Sequence, residues 1–246
     1  MTSSLKFSLP NVHPSIAYRL CDKLGNLERE LKYLEVIAPR GGVAIDVGAN
    51  VGLWCYRLSN HFDRVEAFEP QPRCYSLLQN AKLPGVTLHN VALSSQWGTS
   101  VLKIPAHWGL RIAGMATLNE LDGDYEEVRV ELRTLDEFDF RGVTFIKIDV
   151  EGHESAVLAG GRDTIQREKP VMVIEIEQRH LAFPFTDVIN GVVDMGYEAF
   201  FLNRGKLRPF ADFDYGAQQK AFTDGKVTKC DTLPKSYINN FIFKPR

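Results

Sequence analysis

The stretch VAIDVGANVG at residues 43–52 constrains the fold more than any other part of this sequence. It has the pattern of a short apolar strand that ends in an acid, followed by a turn with Gly48 and Gly52 and then a helix. Glycines allow a tight turn and a close approach of the backbone, and a helix N-terminus offers unpaired amides to an anion. The stretch therefore predicts a nucleotide-type site, although glycines needed only for packing remain an alternative.

Short apolar runs alternate with helical stretches along most of the chain. We predict strands at 43–46, 64–68, 86–91, 143–149, 171–177, 197–202 and 238–243, with helices between most of them. Alternation of this kind indicates a mostly parallel sheet with helices on both faces, because parallel neighbours need a crossover connection.

Two regions depart from this alternation. Apolar residues at spacings of three and four predict an amphipathic helix over 24–38, and residues 96–134 have the composition of loops and hairpins. We therefore expect one domain over 1–246. It would comprise a helical extension at 1–42 and a Rossmann-like core at 43–246, with an insertion at about 96–134.

Charge and composition narrow the function classes. The chain has 29 Lys+Arg against 31 Asp+Glu, a formal net charge of −2, which gives no long-range attraction for nucleic acid. No apolar run approaches the ~18 residues of a membrane span, and the first residues lack a secretory apolar core. We expect a cytoplasmic protein with no nucleic-acid partner and no membrane span. The four cysteines lack paired spacing, so reduced thiols are expected.

Two carboxylates are placed to bracket one ligand. Asp46, beside the turn, would repel a pyrophosphate but suits the ammonium and sulfonium of S-adenosylmethionine. Glu69 ends the next strand, at about the 20-residue offset where an acid reaches a ribose. Asn90 and its neighbours, after the third strand, could hold the adenine. The expected cofactor-binding residues are Asp46, Gly48, Ala49, Asn50, Gly52, Glu69, Pro70, Asn90, Val91, Ala92 and Asp149.

The segment IKIDVEGHE at 146–154 places many charges at the end of the fourth strand. Open α/β sheets bind ligands at the carboxyl ends of their strands. We expect Asp149 to face the cofactor, and either Glu151 or His180 to act as the general base. His153 and Glu154 fit the start of a helix equally well. Carboxylates converge here, but no His/Asp spacing is diagnostic of a metal, which therefore stays open.

Five motifs occur in an order that resembles the FkbM family of methyltransferases. They are DVGANVG at 46–52, AFEP at 67–70, TLDEF at 134–138, IKIDVEGHE at 146–154 and NNFIF at 239–243. The resemblance implies an α/β, Rossmann-like class I methyltransferase fold with a mostly parallel seven-stranded sheet and an antiparallel last strand. It also implies S-adenosylmethionine as methyl donor and O-methylation of a hydroxyl of a sugar or natural-product small molecule.

Several other functions remain open. Some members of this family methylate nitrogen, so an N-methyltransferase of a peptide or small molecule is possible. An NAD-dependent oxidoreductase is disfavoured because Asn50 interrupts the GxGxxG pattern. A non-catalytic cofactor-binding module is disfavoured by the intact carboxylates. A nucleic-acid amino-methyltransferase would need an Asn/Asp-Pro-Pro-aromatic stretch where Asp149-Val150-Glu151-Gly152 stands.

Overall fold

The computed structural model describes residues 13–24, 27–107, 110–111, 116–119, 123–223 and 236–246. The strands are β1 (Val43–Val47), β2 (Arg64–Phe68), β3 (Val86–His89), β4 (Ala92–Leu93), β5 (Gly98–His107), β6 (Leu110–Arg111), β7 (Tyr125–Arg133), β8 (Val143–Ile148), β9 (Val171–Glu175), β10 (Tyr197–Asn203), β11 (Lys206–Pro209) and β12 (Asn240–Pro245). The helices are α1 (Pro14–Lys23), α2 (Arg29–Lys32), α3 (Leu34–Ile37), α4 (Leu53–Leu58), α5 (Pro72–Ala81), α6 (Glu154–Gly160), α7 (Arg162–Glu168), α8 (Phe185–Asp194) and α9 (Ala221–Thr223), with a 3₁₀ turn at Gln178–His180.

The main sheet has the strand order β11-β10-β12-β9-β8-β1-β2-β3. Strands β3, β2, β1, β8 and β9 are parallel, and β12 runs antiparallel between β9 and β10. This confirms the mostly parallel sheet with an antiparallel last strand. Apolar core residues lie on both faces of the sheet, so β1 is buried along its whole length.

Within the described residues, the main sheet has eight strands where the resemblance implied seven. The additional strand, β11, pairs antiparallel with β10 at the edge of the sheet. Arg204 and Gly205, at φ of 50° and 75°, form the two-residue turn between these strands, and hairpin turns with two positive φ angles match the twist of paired strands. The short sequence of β11 has no strong apolar alternation, so its pairing depends on the turn.

The insertion forms a second, smaller sheet in the order β4-β7-β5-β6. Its two long strands, β5 and β7, pair antiparallel from Gly98 opposite Leu132 to Pro105 opposite Tyr125. Leu102, Ile104 and Val130 form a small apolar core with Ala92. Among the described residues of the region expected to hold loops and hairpins, these two long antiparallel strands are therefore the main feature. Cys230, one of the four cysteines, lies outside the described ranges.

The prediction of one continuous helix over 24–38 is wrong. The structure has α1 before it, then the two short helices α2 and α3, and Leu24 is exposed. The Nε of Arg57 donates to the backbone oxygen of Leu31 at 3.2 Å, giving that carbonyl a partner outside the helix. The apolar spacing correctly marks burial, since Leu31 and Leu34 are fully buried, but tertiary contacts divide the helix. Within the described ranges, no helix has the length and apolar character needed to cross a bilayer.

Candidate functional site

The turn after β1 is held against the ends of both neighbouring strands. Gly48 has φ +81°, and the amides of Gly48 and Ala49 both donate to the backbone oxygen of Phe68 at 3.0 Å. The Asp149 amide donates to the oxygen of Val47 at 3.0 Å. A Cβ at Gly48 would lie 1.9 Å from the Asp149 oxygen, so no other residue fits this turn. The glycine thus allows the backbone after β1 to contact the ends of β2 and β8.

Gly52 has a packing role. It has φ +86°, and a Cβ there would lie 2.2 Å from Cδ2 of Leu78 on α5 and 3.2 Å from Cγ of Pro14 on α1. The glycine therefore lets α4 begin in close contact with two other helices. It shapes the turn from outside the pocket described next.

A pocket opens at the carboxyl edge of β1, β2 and β8, where Rossmann-like sheets bind ligands. Its lining residues are Val47, Gly48, Asn50, Phe68, Glu69, Pro70, Val91, Ala92, Leu93, Leu102, Ala116, Leu118, Asp149, Val150, Glu151 and His153. Eight residues singled out in the sequence are among them, namely Gly48, Asn50, Glu69, Pro70, Val91, Ala92, Asp149 and Glu151. The other five, which do not line it, are Asp46, Ala49, Gly52, Asn90 and His180.

The Glu69 carboxylate fixes the turn from the end of β2. Its Oε2 accepts from the amide of Asn50 at 2.7 Å, and its Oε1 accepts from the amide of Gln71 at 2.8 Å. Burial raises the pKa of Glu69 to about 7, and the two amide hydrogen bonds oppose that rise. A carboxylate has about four acceptor positions, so Glu69 can also receive hydrogen bonds from a ligand in the pocket.

Asp46 lies behind the turn, and is fully buried. Its Oδ2 accepts from the Cys55 thiol at 3.1 Å, while Oδ1 has no hydrogen-bonding partner within the described part of the chain. Burial raises the pKa of this carboxyl, and the nearby Lys147 ammonium opposes that rise. A buried oxygen without a donor is unusual. Oδ1 of Asp46 could therefore still accept a hydrogen bond from a water molecule or an ammonium group.

Asn90 supports the backbone that follows β2. Its side-chain amide donates to the backbone oxygens of Glu69, at 2.8 Å, and of Pro70, at 3.2 Å. The side chain thus holds the segment that carries Glu69. The structure places its amide on the protein backbone, whereas the sequence suggested a contact with adenine.

Two ion pairs lie at the carboxyl ends of β8 and β9. Lys147, nearly inaccessible to solvent, donates from Nζ to Oδ2 of Asp149 at 2.8 Å. Burial alone would lower the pKa of Lys147, but the carboxylates of Asp149 and Asp46 raise it, so the ammonium stays charged. On the pocket side, Nε2 of His180 lies 2.9 Å from Oε2 of Glu151. Glu151 adopts φ +51°, which non-glycine residues seldom adopt and which is often found at functional sites.

Glu151 and His180 shift each other's pKa at the edge of the pocket. Burial raises the pKa of Glu151, and the neighbouring His180 opposes that rise. Burial would lower the pKa of His180, but the nearby Glu151 carboxylate outweighs burial and raises it. Both pKa values are therefore shifted towards the protonated form, and the two side chains are close enough to pass a proton between them.

Glu175, which the sequence did not single out, joins this group from the end of β9. Carboxylate oxygens of Asp149, Glu151 and Glu175 all lie within 4.8 Å of one another. This spacing would admit a cation, but two of the three carboxylates are already paired with Lys147 and His180. Glu175 ends a buried strand beside Asp149, and that position in the sequence could have revealed it.

Eight further pocket residues were missed or left ambiguous in the sequence, and four of these, Val47, Phe68, Leu93 and Val150, directly adjoin residues that were singled out. Leu102, Ala116 and Leu118 come from the insertion, and His153 follows β8. Nε2 of His153 is hydrogen-bonded to the Ser94 hydroxyl at 2.9 Å, and burial lowers the pKa of this histidine. No local sequence signal marks the three apolar residues, because folding of the insertion brings them to the pocket.

Several solved structures resemble this fold. The methyltransferase FkbM of Methylobacillus flagellatus is 18% identical with a TM-score of 0.52, over 82% of this chain and 43% of its own. A TehB-like SAM-dependent methyltransferase of Corynebacterium glutamicum is 14% identical with a TM-score of 0.48, over 94% of this chain and 96% of its own. A Streptococcus mutans protein solved in complex with S-adenosylhomocysteine is 10% identical with a TM-score of 0.44, over 89% and 99%.

This chain thus spans less than half the length of the Methylobacillus protein, and a likeness at such identity establishes the fold alone. No curated protein matches the sequence. The family model described as the methyltransferase FkbM domain matches residues 46–199, more than half of the chain. That match includes the glycine turn, Glu69, and the acids at the end of β8. The chain belongs to the FkbM family of S-adenosylmethionine-dependent methyltransferases.

Proposed function

We propose that this chain transfers the methyl group of S-adenosylmethionine to a hydroxyl of a sugar or natural-product small molecule. One observation carries the proposal: the same pocket is lined both by Glu69, the residue proposed to bind the ribose, and by Glu151, which is paired with a histidine. A cytoplasmic location stays a prediction from the sequence.

Each end of the cofactor has a matching group in the chain. Glu69 would accept hydrogen bonds from the ribose hydroxyls, and the buried Asp46 carboxylate, which does not line the pocket, would act on the ammonium group only through its charge from behind the turn. The proposed cofactor-binding residues are Asp46, Gly48, Ala49, Asn50, Gly52, Glu69, Pro70, Val91, Ala92 and Asp149. Gly52 and Asn90 would act indirectly, through the backbone that they shape.

The cofactor supplies a methyl group on a positively charged sulfur, and the protein must position an acceptor oxygen in line with it. As the oxygen–carbon bond forms, the carbon–sulfur bond breaks and its electron pair stays on sulfur. The hydroxyl proton needs an acceptor. Glu151 lines the pocket and His180 does not, so we assign Glu151 as the base and His180 as the residue that positions it and shares the proton.

N-methylation of an amine is the second candidate. Asp149, Glu151 and Glu175 place three carboxylates close together beside the proposed acceptor position. Asp149 and Glu151 already have cationic partners in Lys147 and His180, so only the negative charge left over from these pairs would favour a cationic amine over a neutral hydroxyl. A panel that pairs glycosides with the corresponding amino sugars would separate the two, since only the preferred acceptor atom would gain a methyl group.

The test combines cofactor binding with methyl uptake. We expect calorimetry to detect S-adenosylhomocysteine binding, and labelled S-adenosylmethionine to methylate at least one member of the acceptor panel. Glu127→Gln, on the exposed face of β7, is a matched control for Glu151→Gln because it makes the same change away from the pocket. If the protein binds the cofactor but Glu151→Gln is as active as Glu127→Gln on a verified acceptor, the proposed base is wrong.

A further inference from the structure

The insertion contributes a wall to the pocket. Leu102 enters from β5, and Ala116 and Leu118 enter from residues 116–119, which we call the roof segment. Leu102 is almost fully buried and belongs to the insertion's own apolar core, on which Ala116 and Leu118 also pack. The apolar core of the insertion therefore holds these three residues in place along the pocket.

Thr117 fastens the roof segment at two points. Its backbone exchanges two hydrogen bonds with the backbone of Lys103 on β5, at 2.8 and 3.0 Å. Its hydroxyl donates to the backbone oxygen of Glu151 at 2.8 Å and accepts from the amide of Asn119 at 3.1 Å. A single buried side chain thus joins the insertion to the turn after β8.

Gly152 allows this close contact. It has φ +98°, and a Cβ there would lie 2.5 Å from both the side-chain nitrogen of Asn119 and the backbone oxygen of His180. The Asn119 side chain also reaches that oxygen at 3.5 Å. The roof segment is therefore packed directly against the two loops that carry Glu151 and His180.

The position of the wall identifies the part of the cofactor that it would touch. Glu69, at the end of β2, is placed for the ribose, and Val91 to Leu93 follow the neighbouring strand β3. A purine attached to that ribose would lie beyond β2, towards β3, where the pocket is apolar. Leu102, Ala116 and Leu118 line the same pocket, and they offer the apolar surface that a flat, weakly polar ring requires.

We infer that the roof segment and Leu102 are a binding wall for the adenosine half of the cofactor, and that Thr117 positions this wall. The inference rests on the proposed function, because it takes S-adenosylmethionine as the ligand. It assigns part of the cofactor site to the insertion, outside the Rossmann-like core.

The test measures binding of S-adenosylhomocysteine and of methylthioadenosine, which shares only the adenosine half. Thr117→Val keeps the side-chain shape but removes the hydroxyl, and we expect about a three- to tenfold loss of affinity for both ligands. Leu118→Ala should lose about tenfold or more for both, because three carbons leave the wall. Thr117→Ser, which keeps the hydroxyl, should lose less than Thr117→Val.

Val101→Ala is the matched control, since Val101 lies on β5 and is 38% exposed. Thermal unfolding and circular dichroism would establish that each variant is folded. Unchanged affinities in folded Thr117→Val and Leu118→Ala would overturn the inference. So would a loss for S-adenosylhomocysteine alone, which would place the wall at the amino-acid half. If the unaltered protein bound neither ligand, the proposed function would fail with it.

Discussion

The buried Glu69 carboxyl makes cofactor affinity depend on pH. Burial raises its pKa to about 7, whereas a glutamate in an unfolded chain titrates near ~4.3. Ribose hydroxyls donate hydrogen bonds to the ionised form. The ionised fraction falls from about nine-tenths at pH 8 to about one-tenth at pH 6. We therefore expect the affinity for S-adenosylhomocysteine to fall about tenfold over this interval.

Rising pH has the opposite effect on the contribution of Glu69 to folding stability: it strengthens cofactor binding but weakens this contribution. Between about pH 4.3 and 7, the folded protein holds a proton on Glu69 that the unfolded chain has lost. The contribution of this group to stability therefore decreases as pH rises through that window. Cofactor binding favours the ionised carboxylate, so binding should release a proton below pH 7 and should offset part of this loss.

Calorimetry at pH 6, 7 and 8, in buffers with different ionisation enthalpies, measures both the affinity and the protons released. Glu154 also has a pKa raised to about 7 by burial, so the informative quantity is the difference between the unaltered protein and Glu69→Gln. The variant should bind about ten- to a hundredfold more weakly at pH 8, since it loses charge-assisted hydrogen bonds. A pH dependence that is identical in both proteins would refute the assignment of Glu69.

Three further variants test other parts of the site. Gly48→Ala should abolish S-adenosylhomocysteine binding, because the new Cβ would overlap the backbone oxygen of Asp149. The control Gly191→Ala has no described atom within 4 Å of the new Cβ and should bind normally. Normal binding by both variants would contradict this geometry. Glu151→Gln should lower kcat by ~10²–10⁴ on a verified acceptor with cofactor affinity unchanged, and a parallel loss of affinity would argue against a base. Lys147→Met should destabilise the fold by ~3–5 kcal/mol in urea unfolding, because it leaves the Asp149 carboxylate without its cation; an unchanged midpoint would refute that role.

Most of the main sheet could be predicted from the sequence. Buried parallel strands such as β1 and β8 are short apolar runs between glycine-containing turns, and their neighbours follow at regular intervals. Other elements depend on contacts distant in sequence. Strand β11 forms because a tight turn folds it onto β10, and the region 24–38 is divided by contacts such as that of Arg57.

The site could be predicted in part for a related reason. Glu69 and Glu151 follow strand ends, and a parallel sheet brings its carboxyl ends to one edge. Sequence spacing alone could not show that Asp46 lies behind the turn, or that Asn90 binds backbone. Sequence spacing also did not indicate that the roof segment lines the pocket, because its position is set by the pairing of Thr117 with Lys103.

Calorimetry on the purified protein with S-adenosylhomocysteine and with NAD tests the assignment of the cofactor most directly. Asp46 lies next to the turn and Asn50 stands where a dinucleotide site needs glycine, so we expect binding of S-adenosylhomocysteine and none of NAD. Binding of NAD, with no heat from S-adenosylhomocysteine, would contradict the assignment of this pocket to methyl transfer.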